Sequence, residues 1–125
     1  MVAALKIFYA ILIFSHLGKG FGGYCSIHSL KLTQSMTGVV MGRKLEYVVT
    51  VTNECKCEQG NIKLYCKGFQ TAESIDPFLF KHDNQDSTKC ILLNGEPIGE
   101  HQTTYFKYLW DKPFPFTVVH AKMTC

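Results

Sequence analysis

Six cysteines carry the most definite chemistry in this chain: Cys25, Cys55, Cys57, Cys66, Cys90 and Cys125. An even number in a chain of 125 residues fits either three disulfides or a thiolate metal site. Zinc needs four converging ligands, and Cys55, Cys57 and Cys66 with His28 or His82 could be drawn together as a set, although their spacing is not that of an ordinary zinc module. Disulfides need an oxidising compartment. Cys55 and Cys57 point to the same side of an extended segment, an awkward start for a mutual bond, so each is expected to pair elsewhere. The connectivity stays open, because six cysteines allow about 15 pairings. We expect disulfides at all six, with no metal and no cofactor.

Other reactive constellations are absent. His28, His82, His101 and His120 stand apart from one another, and no GxSxG, HExxH or phosphate-loop pattern occurs. The glycine-rich GKGFGG of residues 18–23 has no strand before it and no helix after it, so it does not read as a nucleotide loop. Carboxylates such as Glu46, Asp76 and Glu96 are scattered, and cysteines held in disulfides are unavailable as nucleophiles. The expectation is a protein with no catalytic residues, not an enzyme.

The segment that decides the compartment comes first. Lys6 precedes an apolar run, IFYAILIF at residues 7–14, and small residues follow at Gly18, Gly20, Gly22 and Gly23. The run is far shorter than the roughly 20 residues of a membrane span, so residues 1–22 read as a secretory signal peptide. Residues 23–125 then form one secreted, extracellular domain with no membrane contact after cleavage. Losing Lys6 and Lys19 leaves 11 basic residues against 10 acidic, a balance unlike the basic footprint of a nucleic-acid binder. None of the four candidate Asn-x-Ser/Thr positions, Asn53, Asn61, Asn84 and Asn94, has a hydroxyl residue at the third place, so N-glycosylation is not expected.

The elements that must position the cysteines are strands. Tyr47, Val49 and Val51 share one face of a β-branched run that ends at Asn53. After Glu58-Gln59-Gly60-Asn61 the alternation resumes at Ile62, Leu64 and Cys66, which predicts a hairpin or a crossover between packed sheets. These two strands are expected at Leu45–Thr52 and Ile62–Phe69, and further strands at Ile27–Gln34, Phe78–Phe80, Thr88–Leu93, Thr103–Trp110 and Phe116–Met123. Loose polar chain is expected around Ser35–Gly42 and Lys81–Ser87, and a turn at Asn94-Gly95. No stretch after residue 23 keeps a helical period. The fold class is therefore all-β, a disulfide-stapled antiparallel β-sandwich of about seven short strands.

One strand carries large apolar groups on both faces. In Thr103–Trp110, Phe106, Tyr108 and Trp110 share one face while Tyr105 and Leu109 share the other with Lys107. Either both faces are covered or one aromatic row meets a partner. Tyr105, Tyr108, Trp110 and Phe114 are the candidate partner-binding residues, and an extracellular carbohydrate-binding module of the cell wall is one function such a row would suit.

The short motifs between the cysteines also resemble the tapetum determinant family of small secreted plant proteins. The likeness runs from Cys25 to Cys125. It rests on the Ile-containing segment from Cys25 to Gln34, on YVVTVTNEC at residues 47–55, on Leu64 to Cys66, on IDPFLF at 75–80, on Cys90 with NGEPI at 94–98, on YFKYLW at 105–110 and on the terminal cysteine. The resemblance implies a cysteine-rich ligand of a leucine-rich-repeat receptor kinase ectodomain, with a role in anther and tapetal cell fate, and leaves the oligomeric state open. Two departures stand out: the close CKC spacing of Cys55 and Cys57, and Lys67-Gly68-Phe69 where better-known members carry Gly-Trp-Phe.

Overall fold

A computed structural model describes residues 25–125 of the protein; the expected signal peptide, residues 1–22, lies outside the described residues. Seven strands follow in order: β1 Leu30–Met41, β2 Lys44–Asn53, β3 Glu58–Tyr65, β4 Phe80–His82, β5 Lys89–Leu92, β6 Thr103–Trp110 and β7 Thr117–Thr124. Single 3-10 turns occupy Ile27–Ser29 and Leu93–Gly95. The strands form two antiparallel sheets, β1-β2-β6 and β4-β5-β3-β7. The chain is the all-β, disulfide-stapled sandwich that its alternation predicts.

Period-two alternation builds the core directly. Tyr47, Val49 and Val51 of β2 are buried, and Phe106 and Tyr108 of β6 and Ile62 and Leu64 of β3 join them. Tyr47 stands opposite Tyr108 in the ladder and stacks on it, with ring centroids 5.2 Å apart. Seven aromatic rings meet between the sheets. Phe69, in the loop after β3, touches four of them: Phe80, Tyr108, Phe114 and Phe116. Edge-to-face contacts of this kind add to the burial of each ring, by roughly 0.5–1.5 kcal/mol per pair.

The segment from β2 to β3 is a crossover, not a hairpin, since β2 belongs to the first sheet and β3 to the second. Two disulfides anchor it: Cys25 pairs with Cys55, and Cys57 with Cys125. The third, Cys66–Cys90, ties the end of β3 to β5 within the second sheet. Cys55 and Cys57 thus bond to different partners, as their shared side predicts. Asn53, fully buried, folds the crossover by donating from Nδ2 to the carbonyls of Cys57 and Ile98 and accepting from the Cys55 N–H.

Several strand boundaries differ from the sequence expectation: the strand expected at Ile27–Gln34 begins only at Leu30 after the 3-10 turn, the one expected at Ile62–Phe69 ends at Tyr65, and Lys81 and His82 of the expected loop join β4. β1 continues through Ser35–Met41, read as loose chain, because β2 pairs with it across a bulge between Met36 and Val40. β3 begins at Glu58, inside the expected turn, because Asn61 takes φ 50° and absorbs an irregularity in the pairing with β7. The strand expected at Phe78–Phe80 starts only at Phe80. Asp76 holds Phe78 and Leu79 in a turn, its carboxylate accepting from the Phe78 N–H and its carbonyl from the Leu79 N–H.

Candidate functional site

β6 decides where the candidate residues go. Its ladder with β2 turns Phe106, Tyr108 and Trp110 inward and Tyr105 and Lys107 outward. The chain then bends through Pro113 and Pro115, so that Phe114 returns over the end of the sandwich. Tyr108, Trp110 and Phe114 come together there, lining a cleft of about 250 Å³ with Gly68, Gln70, Lys112, Pro113 and Pro115. Tyr105 does not join them. It is half exposed on the outer face of the first sheet, beside Glu73, Ile75 and Lys107.

Tyr108 is corrected from a partner contact to a core residue. Its relative exposure is 0%, because Tyr47 stacks on one side and Phe69 meets it edge-on at 5.1 Å. Its hydroxyl closes a ring of three hydrogen bonds. Tyr108 Oη donates to Gln34 Oε1 at 2.6 Å, Gln34 Nε2 donates to the Phe114 carbonyl at 2.6 Å, and the Phe114 N–H donates back to Tyr108 Oη at 2.8 Å. Burial raises the Tyr108 pKa above its ordinary value, so the phenol keeps the proton it donates. The ring clamps the proline-rich loop onto the sheet and fixes the Phe114 side of the cleft.

Trp110 and Phe114 remain as half-buried aromatic surface. The Lys44 ammonium lies 4.8 Å from the centre of the Trp110 ring and 3.4 Å from Asp111 Oδ1, so the indole has a cation over one face. Among the cleft residues only Tyr108 and Lys112 are ionisable, and neither forms an acid–base pair with another group of the cleft. The arrangement can stack, exclude water and offer a cation; it holds no pair of groups that could pass a proton to and from a substrate.

Gln34 is the functional residue that sequence reading missed. Its signal was present: the inward positions of β1 run Leu30, Leu32, Gln34, and a polar residue in an apolar phase marks a buried amide that needs partners. A second omission is the contact of Glu46 with Glu73. The loop after β3 runs along the free edge of β6, where the Ala72 N–H donates to the Leu109 carbonyl and the Leu109 N–H to Thr71 Oγ1. It brings Glu73 to the outer side of the first sheet beside Tyr105 and Lys107, and Glu46, at an outward position, is buried. The hydroxyl of Thr37 donates to Glu46 at 2.7 Å and lowers its pKa. Burial, and then the hydrogen bond with Glu46, raises the pKa of Glu73.

The cysteines fall into two groups, Cys25, Cys55 and Cys57 with Cys125 bonded to the last, and Cys66 with Cys90 beside His82. Cys66 is thus remote from the pair Cys55 and Cys57 with which the zinc alternative combined it, and every sulfur is committed to a disulfide.

The family model described as "Tapetum determinant 1, C-terminal" matches residues 26–125, which is essentially the whole described domain. The chain belongs to the tapetum determinant family. It is similar to "TPD1 protein homolog 1" of Arabidopsis thaliana, 26% identical over 120 residues. That alignment covers 92% of this chain and 65% of the relative, so the chain spans about two thirds of the relative's length. No solved structure matches the chain. All three disulfides of this member of the tapetum determinant family lie inside the matched region, apart from Cys25, which stands one residue before it.

Proposed function

We infer that this protein is a secreted signalling ligand, recognised through its surface by the ectodomain of a leucine-rich-repeat receptor kinase and directing cell fate in the anther and tapetum. The observation that carries the reading is the family match over residues 26–125. The chemistry agrees with it. Three disulfides are the bonds of an oxidising, extracellular compartment. No helix among the described residues is long and apolar enough to cross a membrane. The cleft beside Trp110 and Phe114 offers stacking surface and a cation but no acid–base pair, which suits binding without turnover.

The deciding experiment incubates the secreted, oxidised protein with an array of plant leucine-rich-repeat ectodomains and, in parallel, with cellulose and xylan. Binding to an ectodomain and not to the polysaccharides is expected. Retention on either polysaccharide that disappears in Trp110→Ala, with no ectodomain bound, replaces the ligand by a cell-wall carbohydrate-binding module. The burial of Tyr108 shortens the flat aromatic row that such a module needs, leaving Trp110 and Phe114.

A further inference from the structure

Nine large hydrophobic residues are exposed among the described residues, and four of them, Met36, Val39, Val40 and Met41, fall within six consecutive positions of β1. Every residue from 35 to 43 is exposed. This arm of the β1–β2 hairpin makes bonds of its own. Thr37–Val39 bulge opposite Glu46, Gly38 supplies the positive φ of 100°, and the Thr37 hydroxyl donates to Glu46 while accepting from the Val39 N–H. Gly42, at φ 63°, starts a two-residue turn that ends at Lys44. A cluster of apolar side chains left in water needs a reason, because a hairpin tip is stable with polar residues there.

We propose that the β1–β2 arm is the docking element of this ligand, seated in an apolar, acid-rimmed groove of its protein partner. The inference rests on the receptor reading above and adds to it the surface used and the chemistry that receives it. Charge selects the partner. From Leu30 to Lys44 there is no carboxylate, Lys44 is already paired with Asp111, and Arg43 at the tip has no ion pair among the described residues. An apolar tip crowned by an unpaired guanidinium complements apolar surface edged with carboxylates. Two copies of the arm would bring like charges together, which disfavours self-association through it. A lipid surface fits less well, since β1 is the edge of its sheet. Its outer row of backbone N–H and C=O groups finds partners in a protein groove but none in hydrocarbon. The inward side of the arm at Met36 continues past Pro113 into the cleft, so one partner can engage arm and cleft together.

The test measures affinity of the full oxidised protein for the ectodomain panel, comparing wild type with Val40→Asp/Met41→Asp, with Arg43→Glu and with Val119→Asp on β7. Circular dichroism and disulfide mapping verify that each variant is folded. The arm double variant is expected to lose about tenfold or more, as for a central apolar anchor. Arg43→Glu should bind several-fold more weakly and with a flatter salt dependence, while Val119→Asp stays within about twofold of wild type. Arm variants that bind like wild type overturn the docking assignment and leave the receptor reading intact. Wild type bound by no ectodomain ends the receptor reading, and the arm assignment with it. Flotation of wild type, but not of the double variant, with phosphatidylserine–phosphatidylcholine vesicles makes the arm a membrane element instead. A wild-type dimer that the double variant dissolves in sedimentation makes the occupant a second copy.

Discussion

Gln34 of β1 and Tyr108 of β6 lie in strands that do not pair with each other, yet the Tyr108 hydroxyl donates to Gln34 Oε1 across the intervening β2 at 2.6 Å. The two side chains also hold the backbone of Phe114 from both sides, Gln34 through its carbonyl and Tyr108 through its N–H. A loop interrupted by Pro113 and Pro115 cannot join a ladder. Two side chains give it the equivalent of one.

Tyr108→Phe should therefore destabilise the protein by about 1–3 kcal/mol, the cost of leaving partly buried polar groups without partners. Gln34→Ala should cost a similar amount, and the double variant less than the sum. Urea unfolding of the oxidised proteins, arranged as a double-mutant cycle, checks both. A coupling of zero shows that the two bonds act independently.

Neighbouring residues of β6 predict opposite outcomes. Phe106 is 1% exposed and stacks on Phe80 at 4.0 Å, whereas Tyr105 is 52% exposed. Phe106→Ala should lower stability by about 3–5 kcal/mol, and Tyr105→Ala by no more than about 0.5 kcal/mol. Midpoints of denaturant unfolding separate them without further interpretation.

The Glu46–Glu73 pair makes stability depend on pH from both sides. Glu73 titrates above its ordinary value in the folded protein, so the folded state holds the extra proton and stability falls as pH rises through the raised value. Glu46 titrates below its ordinary value, so its contribution is present above the unfolded pKa and is lost as pH falls through the lowered one. Glu73→Gln replaces the titrating donor by a permanent one. The variant should lose the decline on the alkaline side of the carboxylate range and keep the decline on the acid side, to which Asp83 and Asp86 also contribute with their lowered values. Unfolding midpoints across pH 3 to about 8 read this directly; parallel curves for the two proteins refute it.

Replacing Cys66 and Cys90 together by alanine should cost about 3 kcal/mol, as expected for a cross-link closing a loop of this length, with a sequence separation of 24. Thermal unfolding of the purified double variant measures the loss. Peptide mapping of the wild type should return the three bonds Cys25–Cys55, Cys57–Cys125 and Cys66–Cys90.

Strand content, the inward face of β2 and the full extent of β6 follow from local alternation, which needs only the residues themselves. What alternation cannot show is which sheet a strand joins, and so the crossover between Asn53 and Glu58 could not be told from a hairpin. The same blindness explains the site. Tyr105 and Tyr108 are equal as aromatic residues of one strand, but Tyr47 and Phe69, distant in sequence, bury the second and leave the first open. Glu46 occupies a solvent-side phase and is covered where the loop at Thr71 and Ala72, running along the free edge of β6, brings Glu73 to the outer side of the sheet. The exposed arm was hidden for a different reason: its glycines and threonine read as loose chain, while the bulge that organises them depends on a carboxylate across the ladder.

The close spacing of Cys55 and Cys57 places two thiols with different destinations one residue apart. An exchange of destinations, Cys25 with Cys57 and Cys55 with Cys125, moves each bond by only two positions along the crossover. Scrambled isomers of this kind are near neighbours of the native one, so oxidative refolding of the reduced protein should stall on them and speed up when a disulfide isomerase is added. The Asn53 amide bonds the backbone at both cysteines, donating to the Cys57 carbonyl and accepting from the Cys55 N–H, so the turn that sends the two sulfurs to different partners is held by a side chain that contains none.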